Sequence, residues 1–96
     1  MLLLQKYKIS GHSMEPLLKT GDTVLISGFL YLFKNPKIND IVAFKEKKGE
    51  VLIKRIREVK NGGFFVSGDN KKDSLDSKDF GYISKEFIIG KLIYKL

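Results

Sequence analysis

With 96 residues, the chain is long enough for one domain with a modest hydrophobic core and too short for two. It has no cysteine and one histidine, which excludes disulfides and a cysteine nucleophile and argues against a thiolate or histidine metal site. The formal net charge of +7 comes from lysines scattered through every segment, which favours solvated side chains over a dedicated nucleic-acid surface. We therefore expect a single domain, residues 1–96, with no cofactor, no metal and no nucleic-acid partner.

The chain begins with the apolar run Met1-Leu2-Leu3-Leu4, which is followed at once by Gln5 and Lys6. This run is too short for a signal peptide, and no stretch approaches the roughly 18 apolar residues that a membrane span needs. We interpret the run as a first strand or a surface anchor.

The first polar motif in the chain is Gly11-His12-Ser13-Met14-Glu15-Pro16. A serine beside an X-Pro bond is consistent with ordinary turn chemistry, but its hydroxyl would also become a nucleophile if a base lay next to it. His12 is a poor candidate for that base, because neighbours in an extended chain point to opposite faces.

Five later runs are rich in β-branched and aromatic residues and are separated by clusters of Gly, Asn, Asp and Lys. They lie at Thr23–Ile26, Ile41–Phe44, Val51–Arg57, Phe64–Ser67 and Ile88–Tyr94. Such runs are typical of strands, and the clusters at 47–50 and 60–63 are typical of hairpin loops. No helical period of useful length appears, apart from one possible turn at 14–19. The sequence predicts an all-β fold, either a small coiled sheet or a partly open β-barrel.

The segment from Gly28 to Lys34 holds five consecutive apolar residues, three of them aromatic. In so small a protein such a run is usually needed for the core, so we favour a buried strand or helical turn. The alternative is a segment that dips into a bilayer surface.

In the strand predicted at Val51–Arg57, Lys54 alternates with Leu52 and Ile56 on one face. A lysine held against an apolar surface is desolvated, which lowers its pKa and allows it to accept a proton. The alternative is that the Lys54 side chain extends past its neighbours to water.

Several segments, taken together, resemble the type I signal peptidase family of serine proteases. They are Ser13-Met14-Glu15-Pro16 with Gly21-Asp22, Asn39–Phe44, Lys54-Arg55, Gly68-Asp69-Asn70 through Phe80-Gly81, and Ile89-Gly90-Lys91. The segments occur in the order found in that family and cover the chain from Ile9 to Lys91. The resemblance implies the coiled β fold that the family shares with self-cleaving repressors of the DNA-damage response.

The resemblance also implies a Ser-Lys dyad, with Ser13 as the nucleophile and Lys54 as its general base. Met14 takes the position of a residue that lines the substrate cleft, and Ser74 that of a serine whose hydroxyl orients the lysine amine.

Two supporting ion pairs are implied as well, Asp69 with Arg55 and Asp76 with Lys78. Gly11 stands where some members have a serine that donates to the oxyanion, so backbone N–H groups, such as that of Ser13, are expected to take this role.

The expected activity is that of a serine endopeptidase that cuts a signal or pro-segment after small residues through an acyl-enzyme. Its partners would be a peptide bound in extended form and a membrane surface or membrane protein. The chain looks like a bare catalytic core, similar in size to short relatives such as the maturation proteases of nickel superoxide dismutase. A signal-peptidase role implies a membrane-associated site facing outward, and a maturation role implies the cytoplasm.

Two other functions remain open. One is a catalytically silent basic β module that binds anionic membranes or nucleic acid through its lysines. The other is a self-cleaving repressor-type Ser-Lys domain, which the Gly68-Asp69-Asn70 segment disfavours.

Overall fold

The computed structural model describes residues 4–71 and 80–96, and the elements within these ranges are seven strands, one short α-helix and one 3₁₀ turn. The elements are β1 (Leu4–Lys8), β2 (Thr23–Ser27), α1 (Leu30–Phe33), β3 (Ile41–Lys45), β4 (Val51–Lys60), β5 (Gly63–Ser67), β6 (Ile83–Ser84), the 3₁₀ turn (Lys85–Phe87) and β7 (Ile88–Lys95). Each of the five predicted strands is present, with ends that differ by at most a few residues. Of the apolar run at 1–4, Leu4 begins β1, and residues 1–3 lie outside the described residues. The all-β fold is confirmed.

The strands form one antiparallel sheet in the order β1-β2-β7-β3-β4-β5-β6. The last strand of the chain therefore lies between β2 and β3, and it joins the first hairpin of the protein to the later ones. Within the described residues the sheet is open, with β1 and β6 at its two edges. Of the two predicted forms, the structure is thus the coiled open sheet.

Apolar residues cover both faces of the central strand β3, whose first four residues, Ile41 to Phe44, are all buried. Because side chains alternate along a strand, Ile41 and Ala43 pack into one cluster, while Val42 and Phe44 pack into a second. The first cluster also holds Ile9, Met14, Leu18, Val24 and Ile26. The second also holds Ile56, Phe64, Val66 and Ile83. The expectation of a single core was therefore too simple, because the coiled sheet encloses apolar side chains on both sides.

The backbones of β2 and β7 approach unusually closely at Gly90. A Cβ atom on Gly90 would lie 2.6 Å from the carbonyl carbon and oxygen of Ser27. The register of the two strands shifts between Leu25 and Ile26, just before this contact. A side chain at position 90 would therefore force β7 away from β2.

The aromatic segment from Gly28 to Lys34 forms the helical turn α1, but the prediction that it is buried was wrong. Phe29, Leu32 and Phe33 are 50%, 64% and 74% exposed. A single helical turn points successive side chains in different directions, so only part of the segment faces the core, and Tyr31 packs against the second cluster. Within the described residues, no helix combines the length and apolarity that a bilayer span requires.

Candidate active site

Ser13 lies in the loop between β1 and β2, and backbone hydrogen bonds close the neck of that loop. Ile9 donates to Asp22 at 2.7 Å, and Gly21 donates back to Ile9 at 2.9 Å. Gly21 adopts a φ of +96°, a left-handed conformation that a residue with a side chain rarely adopts. The neck is thus held to a fixed width, and the loop tip that carries Ser13 projects from it.

The loop tip is fixed to the core by buried side chains on either side of a tight turn. Glu15 donates its backbone N–H to the carbonyl of His12 at 3.1 Å, and Leu18 donates to Met14 at 2.9 Å. Met14 and Leu18 are 2% and 1% exposed and belong to the first apolar cluster. Burial of these two neighbours holds the half-buried Ser13 in one orientation relative to the sheet.

Lys54 lies in the middle of the sheet, on β4, and is 3% exposed. It is paired with Val42 of β3 and shares a face of β4 with the buried Ile56. Cross-strand partners point to the same side of a sheet, so the lysine stem lies among apolar side chains. The structure therefore places Lys54 inside the protein and contradicts the alternative in which its side chain reaches freely into water.

Ser13 and Lys54 line the same small cavity, whose volume is about 130 Å³. Met14 contributes to the wall of this cavity as well as to the first apolar cluster. The other residues of the wall are Tyr7, Lys8, Ile9, Ser10, Val51, Leu52 and Ile53. The contribution from 7–10 could not be predicted from the sequence, because it depends on how the end of β1 and the residues after it lie against β4.

Two strand edges flank this cavity. The ladder between β4 and β5 begins at Arg55, which pairs with Ser67, so the residues at 51–54 have no β5 partner in the described part of the chain. Strand β1 pairs with β2 on one side and forms the outer edge of the described sheet on the other. Residues 51–54 of β4 and residues 7–10 therefore line the same cavity as Ser13.

Arg55, the residue after Lys54, forms a two-pronged ion pair with Asp69. Its Nε and Nη2 atoms donate to the two carboxylate oxygens, each at 2.9 Å. Arg57 donates to the same carboxylate at 2.9 Å, a contact that the sequence did not predict. The hydrogen bonds from Arg55 lower the pKa of Asp69, and the carboxylate in turn raises the pKa of Arg55. The ion pair implied by the family resemblance is present and is reinforced by a second arginine.

Asn70 continues this connection to the serine loop. Its backbone N–H donates to the carbonyl of Ser13 at 2.8 Å, and its Nδ2 donates to the carbonyl of His12 at 3.0 Å. A chain of polar contacts thus runs from Arg55 through Asp69 and Asn70 to Ser13. Asn70 was part of the recognised motif, but nothing in the sequence alone showed that its amide would hold the serine backbone.

Among the other candidates, His12 is 60% exposed at its side chain and its ring Nδ1 contacts Glu15. This contact turns the ring toward a carboxylate that is its neighbour in the turn. The predicted lysine-orienting Ser74 and the predicted ion pair of Asp76 with Lys78 lie outside the described residues.

A second polar cluster surrounds Asp40, which is 6% exposed. Its carboxylate accepts hydrogen bonds from the Tyr31 hydroxyl at 2.7 Å and from the backbone of Lys37 at 3.2 Å, and lies 3.4 Å from the Lys91 amine. Burial and then the hydrogen bond to Asp40 raise the pKa of Tyr31. This cluster anchors α1 to β7, and it satisfies a carboxylate that would otherwise be buried at a high cost in free energy.

Comparison with protein-family models matches the chain to the family described as signal peptidase, peptidase S26, over residues 1–59 and 56–96. Among curated proteins, signal peptidase I V of Bacillus subtilis (strain 168) is 27% identical, over 88% of this chain and 80% of its own length. Thylakoidal processing peptidase 1 of Arabidopsis thaliana is 26% identical, over 97% of this chain and 42% of its own length. Signal peptidase I of Aquifex aeolicus (strain VF5) is 35% identical, over 76% of this chain and 30% of its own length. The chain thus spans less than half the length of two of these three relatives.

Proposed function

Because this chain belongs to the signal peptidase family, peptidase S26, we propose that it is a serine endopeptidase with Ser13 as nucleophile and Lys54 as general base. The observation that carries the proposal is the shared cavity, which brings a half-buried serine and a buried lysine to one small site. A serine hydroxyl attacks a peptide only when a neighbouring base removes its proton, and a desolvated lysine can be that base near neutral pH.

The reaction would proceed by acyl transfer. Ser13 Oγ attacks the carbonyl carbon of the scissile peptide while the neutral Lys54 amine takes the hydroxyl proton. When the C–N bond breaks, the resulting Lys54 ammonium returns that proton to the leaving amine. Water then attacks the ester on Ser13 while Lys54 accepts its proton. When the acyl–Oγ bond breaks, the Lys54 ammonium returns that proton to Ser13 Oγ, and the carboxyl product leaves. The backbone N–H of Ser13 is our candidate for stabilising the oxyanion, since Gly11 offers no hydroxyl.

We further propose that the substrate binds in an extended conformation between the two strand edges. Residues 51–54, which lack a β5 partner in the described part of the chain, and the edge strand β1 both contribute to the cavity, and an extended substrate would add a strand beside them. A volume of about 130 Å³ is enough to hold one side chain of a substrate. Signal peptides and pro-segments with small residues before the cut are the substrate class we expect from the resemblance to the family, the latter by analogy with its short maturation proteases.

Incubation of a mixed peptide library with the purified protein tests this function. We expect new peptide termini that follow small residues, detected by mass spectrometry. The matched control is Ser13→Ala, which should leave the library uncut, whereas Ser84→Ala removes an exposed serine elsewhere on the sheet and should cut as the parent does. Cleavage that persists in Ser13→Ala would contradict the proposal.

A further inference from the structure

Asn70 contacts both of the peptide groups that flank Ser13. Its side-chain Nδ2 donates to the carbonyl of His12 at 3.0 Å, and its backbone N–H donates to the carbonyl of Ser13 at 2.8 Å. The first carbonyl belongs to the peptide before Ser13 and the second to the peptide after it. Because peptide groups are planar, a residue that holds both planes restricts the two backbone dihedral angles of Ser13 that lie between them.

The first of these contacts also sets the direction of the Ser13 N–H. The peptide between His12 and Ser13 is trans, so its carbonyl and its N–H point in opposite directions. A donor that holds the His12 carbonyl therefore makes the N–H of Ser13 point away from Asn70. Asn70 does not line the cavity that Ser13 shares with Lys54, and among the residues that the structure describes the Ser13 N–H meets no acceptor. This N–H is thus available to a substrate.

The carbonyl of His12 accepts a second hydrogen bond, from the backbone N–H of Glu15 at 3.1 Å. Hydrogen bonds to the oxygen of an amide polarise the whole group and make its N–H a stronger donor. The two donors on the His12 carbonyl therefore strengthen the N–H of Ser13, which is our candidate for stabilising the oxyanion. Glu15 belongs to the same turn as Ser13, whereas Asn70 comes from the distant segment after β5.

Asn70 can hold the serine loop because the residue before it is anchored to the sheet. The carboxylate of Asp69 accepts hydrogen bonds of 2.9 Å from two arginines of β4. Asn70 follows at once and is half-buried. The serine loop is thus fixed relative to β4, the strand that carries Lys54.

We propose that Asn70 is a positioning residue, whose side-chain amide orients and polarises the Ser13 N–H for the oxyanion of the tetrahedral intermediate. It acts through the peptide between His12 and Ser13 and does not itself touch the reacting atoms. The inference rests on the proposed function, because it concerns the same acyl transfer. An oxyanion exists in the tetrahedral states and not in the bound substrate, so loss of this amide should lower kcat and leave KM unchanged.

Steady-state cleavage of a peptide found in the library tests the proposal. Asn70→Ala removes the side-chain donor but keeps the backbone N–H, and we expect kcat to fall by about tenfold to a hundredfold at constant KM. Asn70→Asp keeps the shape but presents a carboxylate oxygen to the His12 carbonyl, so it should lose at least as much. The control is Asn35→Ala, which removes an exposed amide that accepts a hydrogen bond from Lys85 and should cut as the parent does.

A peptide aldehyde with the sequence that precedes the cut gives a second readout. Ser13 Oγ adds to the aldehyde carbon, the hydroxyl proton passes to Lys54, and the carbonyl oxygen takes the place of the oxyanion. Asn70→Ala should therefore weaken inhibition by the aldehyde about as much as it lowers kcat. The pH at which kcat/KM rises should stay that of the parent, because the base is unchanged.

Each contrary result has its own meaning. A parent-like kcat in Asn70→Ala would overturn the positioning role, a raised KM at constant kcat would assign Asn70 to substrate binding, and a shifted pH profile would mean that it acts on Lys54. A parent protein that cuts no peptide would overturn the proposed function, and this inference with it. Melting curves of the variants show whether each one folds, and Asn70→Asp, which fills the same space, takes the place of Asn70→Ala if the latter does not.

Discussion

Two adjacent residues of β4, Lys54 and Arg55, have basic side chains that lie in contrasting environments. Arg55 meets the carboxylate of Asp69 through two hydrogen bonds of 2.9 Å and is reinforced by Arg57 on the same carboxylate. Lys54 points to the other face, is 3% exposed, and shares that face with Ile56 and its cross-strand partner Val42. The same strand therefore carries one cation stabilised by ion pairing and another whose stem is enclosed by apolar groups.

A buried or half-buried basic side chain can serve a protein in two ways. An arginine in a bidentate ion pair keeps its charge and fixes the positions of the elements it joins. A lysine that is withdrawn from water has its charged form disfavoured, so it can exchange a proton near neutral pH. We infer that the Arg55–Asp69 face of β4 stabilises the site and that the Lys54 face supplies its chemistry.

The largest effect is expected on the Lys54 face. Lys54→Arg keeps the positive charge but cannot act as a base, because a guanidinium stays protonated. We expect it to lower the cleavage rate by about a thousandfold or more, as should Ser13→Ala, and the double variant should lose little more, because the two residues act as a unit. The measurement is the rate of cleavage of a peptide found in the library. A Lys54→Arg protein that keeps its activity would remove Lys54 from the proposed role.

The next largest effect is expected at Asp69, the partner of Arg55, where Asp69→Asn should lower the stability of the fold. The variant leaves the arginine donors with a neutral acceptor, and we expect the free energy of unfolding to fall by about 1–3 kcal/mol. Activity should fall too, because Asp69 leads directly to Asn70, which holds the Ser13 backbone. Chemical denaturation measures the first effect, with Glu86→Gln as a control that neutralises an exposed carboxylate. Equal stability of the two variants would mean that the ion pair contributes nothing measurable.

Replacing Lys54 by a neutral side chain should have a smaller effect of the opposite sign. If burial lowers the pKa of Lys54, the unfolded state binds its proton more readily, and this residue destabilises the fold at every pH below its folded pKa. Lys54→Met keeps a similar length without the amine, so we expect its melting temperature at pH 7 to rise by a few degrees while activity is lost. A variant that melts at or below the parent temperature would show that the lysine is well stabilised in place.

The smallest expected effect is the loss of the stability contribution of Asp69 at acidic pH. The arginines hold the pKa of Asp69 below its ordinary value of 3.8, so its contribution to stability is present above that value and is lost as pH falls through the folded pKa. The stability difference between the parent and Asp69→Asn should therefore be constant near neutral pH and shrink below about pH 4. Urea denaturation across this range measures it. A difference that grows in acid would contradict the sign of this shift.

The sequence predicted the strands well, because β-branched runs between turn clusters are a local signal. It also placed Lys54 between Leu52 and Ile56, since alternation along a strand requires only the strand itself. It could not decide whether that lysine reached water, because the outcome depends on Val42, which is distant in the chain and opposite in the sheet. The structure resolved this point in favour of burial.

Other features of the site were beyond the reach of the sequence for the same reason. Residues 7–10 share the cavity wall with residues 51–54, which are far from them in the chain. The hydrogen bond from the Asn70 backbone to the Ser13 carbonyl likewise joins two distant segments. The exposure of Leu32 and Phe33 was missed because an apolar run indicates burial on average, whereas a one-turn helix anchored by Tyr31 leaves its other side outward. The family resemblance supplied Ser13, Lys54 and Ser74 as candidates, and their roles stay predictions.

Titration of the Lys54 amine tests the central claim most directly. The protein can be labelled with carbon-13 at the lysine Cε positions, and the signal of Lys54 assigned by comparison with Lys54→Met and followed by NMR as the pH is raised. The account predicts a midpoint at least a pH unit below about 10.4, the value of an unperturbed lysine. A midpoint at or above that value would mean that burial does not lower the pKa of Lys54, which would contradict its assignment as the base for Ser13.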